Sequence, residues 1–401
     1  MSLNLRPLAI ILFLISTNLL AQNNKDLEVK IASLPYYSFG RGVGITSPDS
    51  LYKLNIRFRM QNRVSFNHKG PGENAIDGQI RRLRLRLDGY VGNPKFTYAL
   101  QLSFAPGDVG AIHEGNNINI IRDAVAFYSP NEHWSIGFGQ TKLPGNRQRV
   151  NSSGALQFTD RTINNARFNI DRDFGLQVYY LRPVADHFTY NIKTAISTGE
   201  GRNFTANDDL GLAYTAKLEL FPGGYFTKGG DYFEGDLMRE KVLKTMISVA
   251  YQFNDDAKKT QGTLGSLMSY KTDLQSLLAD FIMKKNGFAF MATYMNRTTK
   301  DPLLSYATDQ TFVFAGHGFD LQTSYILPKD VEIMGRYSNQ QMVTSLKNLY
   351  PDTEQISAGV TKYLREHAFK LQGELTYQLE DIHNSTLNRS WYTRFQVEMG
   401  I

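Results

Sequence analysis

The chain has 401 residues, with 44 Lys and Arg against 38 Asp and Glu, and a mean hydropathy of −0.34. It contains no cysteine, which excludes a disulfide framework and a thiolate zinc site. The 25 Phe and 22 Tyr against 2 Trp favour strands, and they suit the aromatic girdles of a membrane barrel.

The first predicted element is a secretory signal peptide over residues 1–21. Arg6 supplies its positive charge, and residues 8–15 form a short apolar core. We expect cleavage after Ala21. An uncleaved membrane anchor is the alternative, but the apolar run is short for a span. An exported protein does not meet nucleic acid, so the basic residues further on predict no nucleic-acid partner.

Residues 22–48 are expected to form an N-terminal periplasmic segment, and two-residue alternation begins after it. In residues 51–66 the even positions are mostly apolar and the odd positions mostly Lys, Asn, Arg or Gln. Because successive side chains of a strand point to opposite faces, this pattern predicts a strand with one apolar and one cationic face. About sixteen strands are predicted, near 51–66, 82–91, 96–104, 119–129, 133–140, 173–182, 187–197, 210–221, 243–253, 274–283, 287–296, 317–327, 331–340, 354–364, 368–379 and 390–401.

The connections between these strands alternate in length. Short turns at 92–95, 129–132, 284–287, 328–330 and 365–367 alternate with long polar loops at 67–79, 107–118, 141–171, 198–209, 254–272, 297–316, 341–353 and 380–389. Only the connection 222–242 is long where a short turn is expected. Residues 49–401 therefore predict an all-β fold, a transmembrane antiparallel β-barrel with short periplasmic turns and long outer loops. A soluble β-sandwich is the alternative, but its strands are typically about 5–6 residues long.

Rows of arginine lie on the polar face of the first two strands, at Arg57, Arg59 and Arg63 and at Arg82, Arg84 and Arg86. Each would cost about 2–4 kcal/mol facing lipid at the midplane, so the rows are expected to face the lumen. Guanidinium groups in a confined aqueous passage attract anions and bind them by two hydrogen bonds each. The alternative is that they brace the barrel by pairing with acidic residues, for which the candidates are Asp77, Asp88, Asp108 and Asp123.

The longest outer connection, residues 141–171, is rich in cations. It carries Lys142, Arg147, Arg149, Arg161 and Arg167 against Asp160 and Asp171. A loop of this length in a large barrel commonly folds inward, so its cations are candidates for a pore constriction. A solvated external loop is the alternative.

Catalytic and cofactor sites are not indicated. The seven histidines fall mainly in turns, loops and strand ends, and the chain has neither an HExxH pair nor a Gly-x-Ser-x-Gly elbow. The glycine-rich stretch 40–44 lacks a phosphate-loop lysine and is interpreted as a linker. We therefore expect no enzyme, no cofactor and no metal site. An outer-membrane lipid hydrolase would require a Ser–His pair assembled by the fold.

Several segments resemble the phosphate-selective porin O and P family over about residues 45–401. They are residues 80–87 with Gly89 and Tyr90, 121–124, 139–144, 318–327, and then Val331, Glu332, Arg336 and Tyr337. The resemblance implies a sixteen-stranded, trimeric barrel whose loop after the fifth strand folds into the pore. It also implies a ladder of arginines and lysines that passes phosphate, for which Arg81, Arg82 and Lys142 are candidates. Simple alternation, however, places Arg81 on the leucine side of its strand.

The leading hypothesis is an outer-membrane porin, surrounded by outer-membrane lipid, that lets small anions, phosphate among them, diffuse passively. The alternative is a receptor or assembly barrel without anion selectivity. In that case the segments 22–48 and 222–242 would be its contact surfaces.

Overall fold

The computed structural model describes residues 42–70, 72–109, 119–185, 188–204, 210–306, 309–383 and 387–401. The predicted signal peptide lies outside the described residues. So do most of the predicted N-terminal segment and parts of the loops predicted at 107–118 and 198–209.

Sixteen antiparallel strands form a closed barrel, as alternation and connection lengths predict. Each strand pairs with its neighbours in the chain, and the last pairs with the first from Trp391 opposite His68 to Gly400 opposite Arg59. Closure leaves no exposed sheet edge along the paired strands. The strands are β1 Tyr52–His68, β2 Asn74–Val91, β3 Asn93–Ser103, β4 Ile121–Tyr128, β5 Trp134–Lys142, β6 Arg172–Ala185, β7 Phe188–Ser197, β8 Ala213–Phe221, β9 Lys244–Lys259, β10 Leu267–Lys285, β11 Phe288–Thr298, β12 Gly316–Leu327, β13 Val331–Met342, β14 Asp352–Arg365, β15 Phe369–Asp381 and β16 Asn388–Gly400.

Smaller elements complete the described chain. A short strand, Val43–Thr46, pairs with residues 53–56 of β1, beyond the point where β16 ends. A hairpin of Leu303–Tyr306 and Asp309–Phe312 lies between β11 and β12. The helices are α1 Pro106–Val109, α2 Arg147–Val150 and α3 Ile163–Phe168, with 3₁₀ turns at Ser153–Ala155, Thr227–Tyr232, Pro328–Asp330 and Thr344–Leu346. Within the described ranges, no helix is long and apolar enough to cross a membrane.

The barrel has an apolar outside and a polar inside. Large hydrophobic side chains on the outer face are widely exposed, for example Val64 at 53% and Phe138 at 60%. Arg82, Arg84 and many other polar residues are instead buried within the lumen. Aromatic pairs lie near both ends of the strands, such as Phe96 with Tyr128 at the short-turn end and Phe66 with Trp391 at the other. This distribution is the one expected of a barrel embedded in lipid.

The connection between β5 and β6, residues 143–171, folds into the lumen and is named the constriction loop. Its side chains and backbone are buried over almost its whole length. It approaches the opposite wall so closely that a Cβ on Gly318 of β12 would lie 1.8 Å from Oδ1 of Asn164 in α3. Leu143, Phe168 and Ile170 anchor it in the main apolar cluster of the interior. The prediction of an inward loop after the fifth strand agrees with this placement.

A β-bulge changes the position of one predicted residue. Gln61 of β1 pairs with Arg82 of β2, but the next residue, Asn62, pairs with Ile80, so Arg81 is the extra residue. The bulge lets Arg81 reach Asp160 of the constriction loop inside the lumen. Placement of Arg81 on the leucine side by simple alternation is therefore wrong, because alternation assumes an uninterrupted pleat.

Candidate functional site

A cavity lies between the constriction loop and the wall formed by β1 to β6 and β16. Its volume is about 80 Å³, enough for several waters or a small oxyanion. Eight basic side chains line it, against one carboxylate side chain, that of Glu398. We name it the basic cavity; its basic residues are Arg57, Arg59, Arg84, Arg86, Arg122, Lys142, Arg161 and Arg172.

The wall strands position these cations at matched heights. Arg57 pairs in register with Arg86, and Arg59 pairs with Arg84, so two pairs of guanidinium groups lie side by side on β1 and β2. Like charges directly opposite one another are destabilising unless counter-charges compensate. Asp88 supplies one, at 3.4 Å from Arg57 and 2.9 Å from Arg86. Asp108 supplies another, at 2.7 Å from Arg84.

Two cations of the basic cavity have backbone carbonyls as their partners. Nζ of Lys142 donates to the carbonyls of Val150 at 2.6 Å and Asn151 at 3.0 Å. Arg161 donates to the carbonyls of Gln148 at 2.8 Å and Asn151 at 2.9 Å. Carbonyls satisfy the N–H groups without neutralising the charge. The cavity therefore keeps a net positive charge that an anion would offset.

Serine hydroxyls of the constriction loop add neutral hydrogen-bonding groups to the cavity. Arg59 donates to Ser152 at 3.1 Å and to Ser153 at 2.7 Å, and Arg84 donates to Ser153 at 3.0 Å. The periplasmic end of the wall closes the cavity with His367 and the terminal residue Ile401. The geometry offers a cationic recess whose wall also includes the apolar side chains of Phe58 and Ile401.

A second group of arginines surrounds Asp160 of the constriction loop. Arg81 binds both its oxygens, with 2.7 Å from NH2 to Oδ1; Arg82 lies 3.3 Å away, and Arg63 also pairs with it. Burial raises the pKa of Asp160, but Arg81, Arg82 and Arg63 lower it by more than burial raises it. The pKa therefore lies well below its usual range. Asp160 is thus a fixed negative charge shared by these three arginines, and Arg394 of β16 lies 4.0 Å away.

The remaining predicted cations lie elsewhere in the loop. Arg147 is fully buried, 2.9 Å from Glu219 and 3.3 Å from Asp231. Arg149 pairs with Asp171, and Arg167 lies over the rings of Phe314 and Tyr350. Arg147 and Arg167 hold the loop to its surroundings and Arg149 pairs within it, whereas Arg57, Arg59, Arg84, Arg86, Lys142 and Arg161 line the basic cavity.

The candidate bracing acids differ in their partners. Asp88 and Asp108 pair with arginines of the predicted rows, and Asp108 also binds Arg122 at 3.0 Å. Asp123 pairs with Arg172, outside those rows, and Asp77 accepts a hydrogen bond from Asn67 at 2.7 Å. Bracing and lining therefore occur in the same residues: an arginine can bind a carboxylate with one N–H group and face the cavity with others.

The sequence analysis missed three charged residues of the basic cavity, Arg122, Arg172 and Glu398. Arg122 lies in a segment that resembles the porin family, so its motif was a usable signal. Arg172 begins β6 beside Asp171, where no row of cations marks it. Glu398 stands on the polar parity of the last strand, and its proximity to Arg59 at 3.7 Å depends on barrel closure.

As a possible metal group among the described residues, Asp255, Asp256 and Asp273 bring carboxylate oxygens within 4.8 Å, but exposed acidic groups of this kind are common without an ion.

The chain is similar to porins both by sequence family and by fold. The family model described as phosphate-selective porin O and P matches residues 53–316, more than half of the chain. The fold is similar to the anion-selective porin from Comamonas acidovorans, with TM-score 0.52, 11% identity and coverage of 87% of this chain and 100% of that one. The outer-membrane channel DcaP of Acinetobacter baumannii matches with TM-score 0.53 and 12% identity, over 90% of this chain and 100% of that one. OprB of Pseudomonas putida matches with TM-score 0.56 and 9% identity, over 87% of this chain and 94% of that one. No curated protein matches the chain.

Proposed function

This chain belongs to the phosphate-selective porin O and P family and is an outer-membrane porin of a Gram-negative bacterium, a channel and not an enzyme; we propose that it passes small anions, phosphate among them, by passive diffusion. The observation that carries the proposal is the basic cavity, with its eight cations against one carboxylate side chain. An excess of fixed positive charge in a narrow aqueous space raises the local concentration of anions and repels cations.

Lys142 and Arg161 are the residues to which we assign the main attraction for an anion. Both donate to backbone carbonyl oxygens and not to carboxylates, so their N–H groups are satisfied without a direct ion pair. Arg59 and Arg84 add guanidinium N–H groups, and Ser152 adds a hydroxyl, for the oxygens of an oxyanion. A phosphate needs several donors at once, which planar guanidinium groups supply well.

Residues of the Asp160 group form the outer part of the proposed anion path. Arg81 has 24% of its side chain exposed and Asp160 has 21%, whereas Arg63 and Arg82 are more deeply buried. We assign Arg63, Arg81 and Arg82 a weaker attraction, because they share one counter-charge. Arg147, Arg149 and Arg167 are assigned to holding the constriction loop.

A phosphate titration of single-channel conductance in KCl tests the proposal. Phosphate is expected to reduce the chloride conductance saturably, because it occupies the basic cavity. Since a hydrogen bond to a charged group is worth about 1.5–3 kcal/mol, Lys142→Gln or Arg161→Gln should each weaken this block about tenfold. Lys95→Gln, exposed at the short-turn end of β3, is the matched control and should behave as wild type. If phosphate has no effect on any of the four proteins, the cations serve the structure alone and the receptor alternative takes over.

Export and assembly are separate proposals. We propose that residues 1–21 are a signal peptide, so the mature chain should begin at Gln22 when sequenced from its N-terminus. The family resemblance supports a homotrimer, for which light scattering in detergent should give the mass of three chains. A mature chain that still begins at Met1, or a monomeric mass, would contradict the corresponding proposal.

A further inference from the structure

The connection between β8 and β9, residues 222–242, is named the periplasmic insert, because it joins two strands at the end where the other connections are short. Loops normally run over the surface and expose their backbone to water. Here the stretch from Gly230 to Asp236 is buried throughout. A polar segment that is buried in this way must have its hydrogen-bonding groups satisfied by the protein.

The barrel wall holds the periplasmic insert inside the lumen. Nζ of Lys284 in β10 donates to three of its carbonyls, those of Gly230 at 2.7 Å, Phe233 at 2.5 Å and Gly235 at 2.7 Å. Phe226 packs in an apolar cluster with wall residues of β8 to β11. These contacts fix the insert by its backbone and by one aromatic anchor.

The insert in turn contacts the constriction loop at two separated points. Oε1 of Glu234 accepts from Nε2 of Gln148 at 2.8 Å, and its Oε2 accepts from the backbone N–H of Gln157 at 2.9 Å. The backbone N–H of Glu234 donates to the carbonyl of Ala155 at 3.3 Å. Asp231 adds the ion pair with Arg147 at 3.3 Å. One carboxylate therefore ties together two parts of the loop that are nine residues apart in sequence.

Most of these contacts lie toward strands β8 to β13, and Phe233 of the insert also packs against His367 at the edge of the basic cavity, with ring centroids 5.4 Å apart. None of the residues lining that cavity comes from the insert or from strands β7 to β13. Between the loop positions that Glu234 holds, 148 and 157, are Ser152, Ser153 and Gly154, which line the cavity. The insert thus contacts the side of the loop that faces β8 to β13, and the loop presents its serine hydroxyls to the arginines of β1 and β2.

We propose that the periplasmic insert is a positioning element that fixes the constriction loop through Glu234 and so sets the cross-section of the passage. Glu234 is a positioning residue: it contacts no part of the basic cavity and acts through the loop. This role rests on the porin function but not on its anion preference. Gln157 and Asn164 of the loop also bind the wall directly, so without the insert the loop would lose part of its support and would sample positions that widen the pore.

Hydrogen exchange of the folded protein in detergent, read for residues 147–157, tests this role together with single-channel conductance. A hydrogen bond to a charged group typically changes an equilibrium by about tenfold or more. Glu234→Ala removes two hydrogen bonds to the loop, besides one from Gln322 of β12, and should lower protection of the loop about a hundredfold. Glu234→Gln keeps one acceptor oxygen and should lose about tenfold. Glu132→Ala, an exposed glutamate in a short turn, is the matched control and should lose nothing.

In the same variants, conductance should become larger and noisier in the order Gln then Ala, while the sign of the reversal potential stays that of wild type. Unchanged loop protection and unchanged conductance in Glu234→Ala would overturn the proposal. If Glu234→Ala does not fold, hydrogen exchange of the wild-type protein still tests the proposal. The amide of Glu234, which donates to Ala155, should exchange slowly; exchange as fast as that of the exposed Glu132 in a short turn would overturn the buried placement. Failure of anion preference would appear in the wild-type reversal potential and leave these readouts unaffected.

Discussion

At the scale of single residues, Asp160 controls how much positive charge the outer part of the lumen presents. It is the shared counter-charge of Arg63, Arg81 and Arg82. Removing one partner from such a cluster leaves like charges facing each other, which costs stability but also creates a site for an external anion. The net charge of the passage is therefore set as much by one carboxylate as by the arginine rows.

Asp160→Asn is expected to tighten the phosphate block. A unit charge about 4 Å away is worth about 1 kcal/mol in water, so the block should tighten about fivefold. The titration of single-channel conductance with phosphate measures this. Glu132→Gln, a neutralisation remote from the lumen arginines, is the control. An unchanged or weaker block in Asp160→Asn would show that the three arginines do not contact the passing anion.

Acidification should not reproduce the effect of this variant. Burial raises the pKa of Asp160, but the three arginines lower it by more, from an ordinary value of 3.8. Its contribution to stability is thus present above the ordinary value and is lost only as the pH falls through the lowered one. Between pH 7 and pH 4 the difference in chloride reversal potential between wild type and Asp160→Asn should persist. A difference that shrinks by roughly two fifths at pH 4 would show that Asp160 titrates with an ordinary pKa.

At the scale of elements, the constriction loop depends on close contact with the wall opposite the basic cavity. Thr162 and Asn164 of its outer half donate to Asp320 of β12 at 2.8 and 2.9 Å, and Gln340 of β13 donates to the carbonyl of Ile163. Gly318 permits this approach because it has no Cβ. The loop is therefore held at its outer half by β12 and β13, and at its inner half by the periplasmic insert together with Lys370 and Gln372 of β15, which donate to its carbonyls.

Gly318→Ala tests the outer support. The new methyl would meet Asn164 Oδ1 at 1.8 Å, so α3 must move away from the wall and its bonds to Asp320 weaken. We expect more open-channel noise and a larger conductance, with a stability loss of about 1–3 kcal/mol from overpacking. Gly373→Ala is a matched control, since its methyl would lie 3.6 Å from the nearest atom. Identical current traces for the two variants would contradict the role given to α3.

Sequence patterns predicted the elements best where lipid constrains them. Alternation located all sixteen strands, but it ended β9 near residue 253 and started β10 near 274, whereas they pair from Lys259 and Leu267. Lipid does not contact this outer extension, so no apolar parity marks it. The periplasmic insert was recognised as too long, but its inward course depends on contacts with Lys284 and the constriction loop that are remote in sequence.

The site was predictable to a similar degree. Rows such as Arg82, Arg84 and Arg86 reveal themselves because lipid would penalise them on the outer face. Three other features depend on strand register and barrel closure. They are the bulge at Arg81, the pairing of Glu398 with Arg59, and the buried ion pair of Arg147. A one-residue change of register reverses a side chain's face, and local alternation does not fix such changes.

At the scale of the whole molecule, the barrel separates an apolar surface from an interior that is divided in two. On one side, the periplasmic insert, the constriction loop and strands β8 to β13 are packed by apolar clusters and ion pairs. On the other, β1 to β6 and β16 border the basic cavity. A passage confined to the second side meets cations on its wall and on the loop, so an anion preference should be a property of the whole pore.

The reversal potential of the purified protein in a planar bilayer under a KCl gradient tests this central claim most directly. We expect a potential of the sign set by chloride, and a shift toward zero in the Lys142→Gln, Arg161→Gln double variant, with Lys95→Gln as wild type. A potential of the sign set by potassium, or one that the double variant leaves unchanged, would contradict an anion path through the basic cavity.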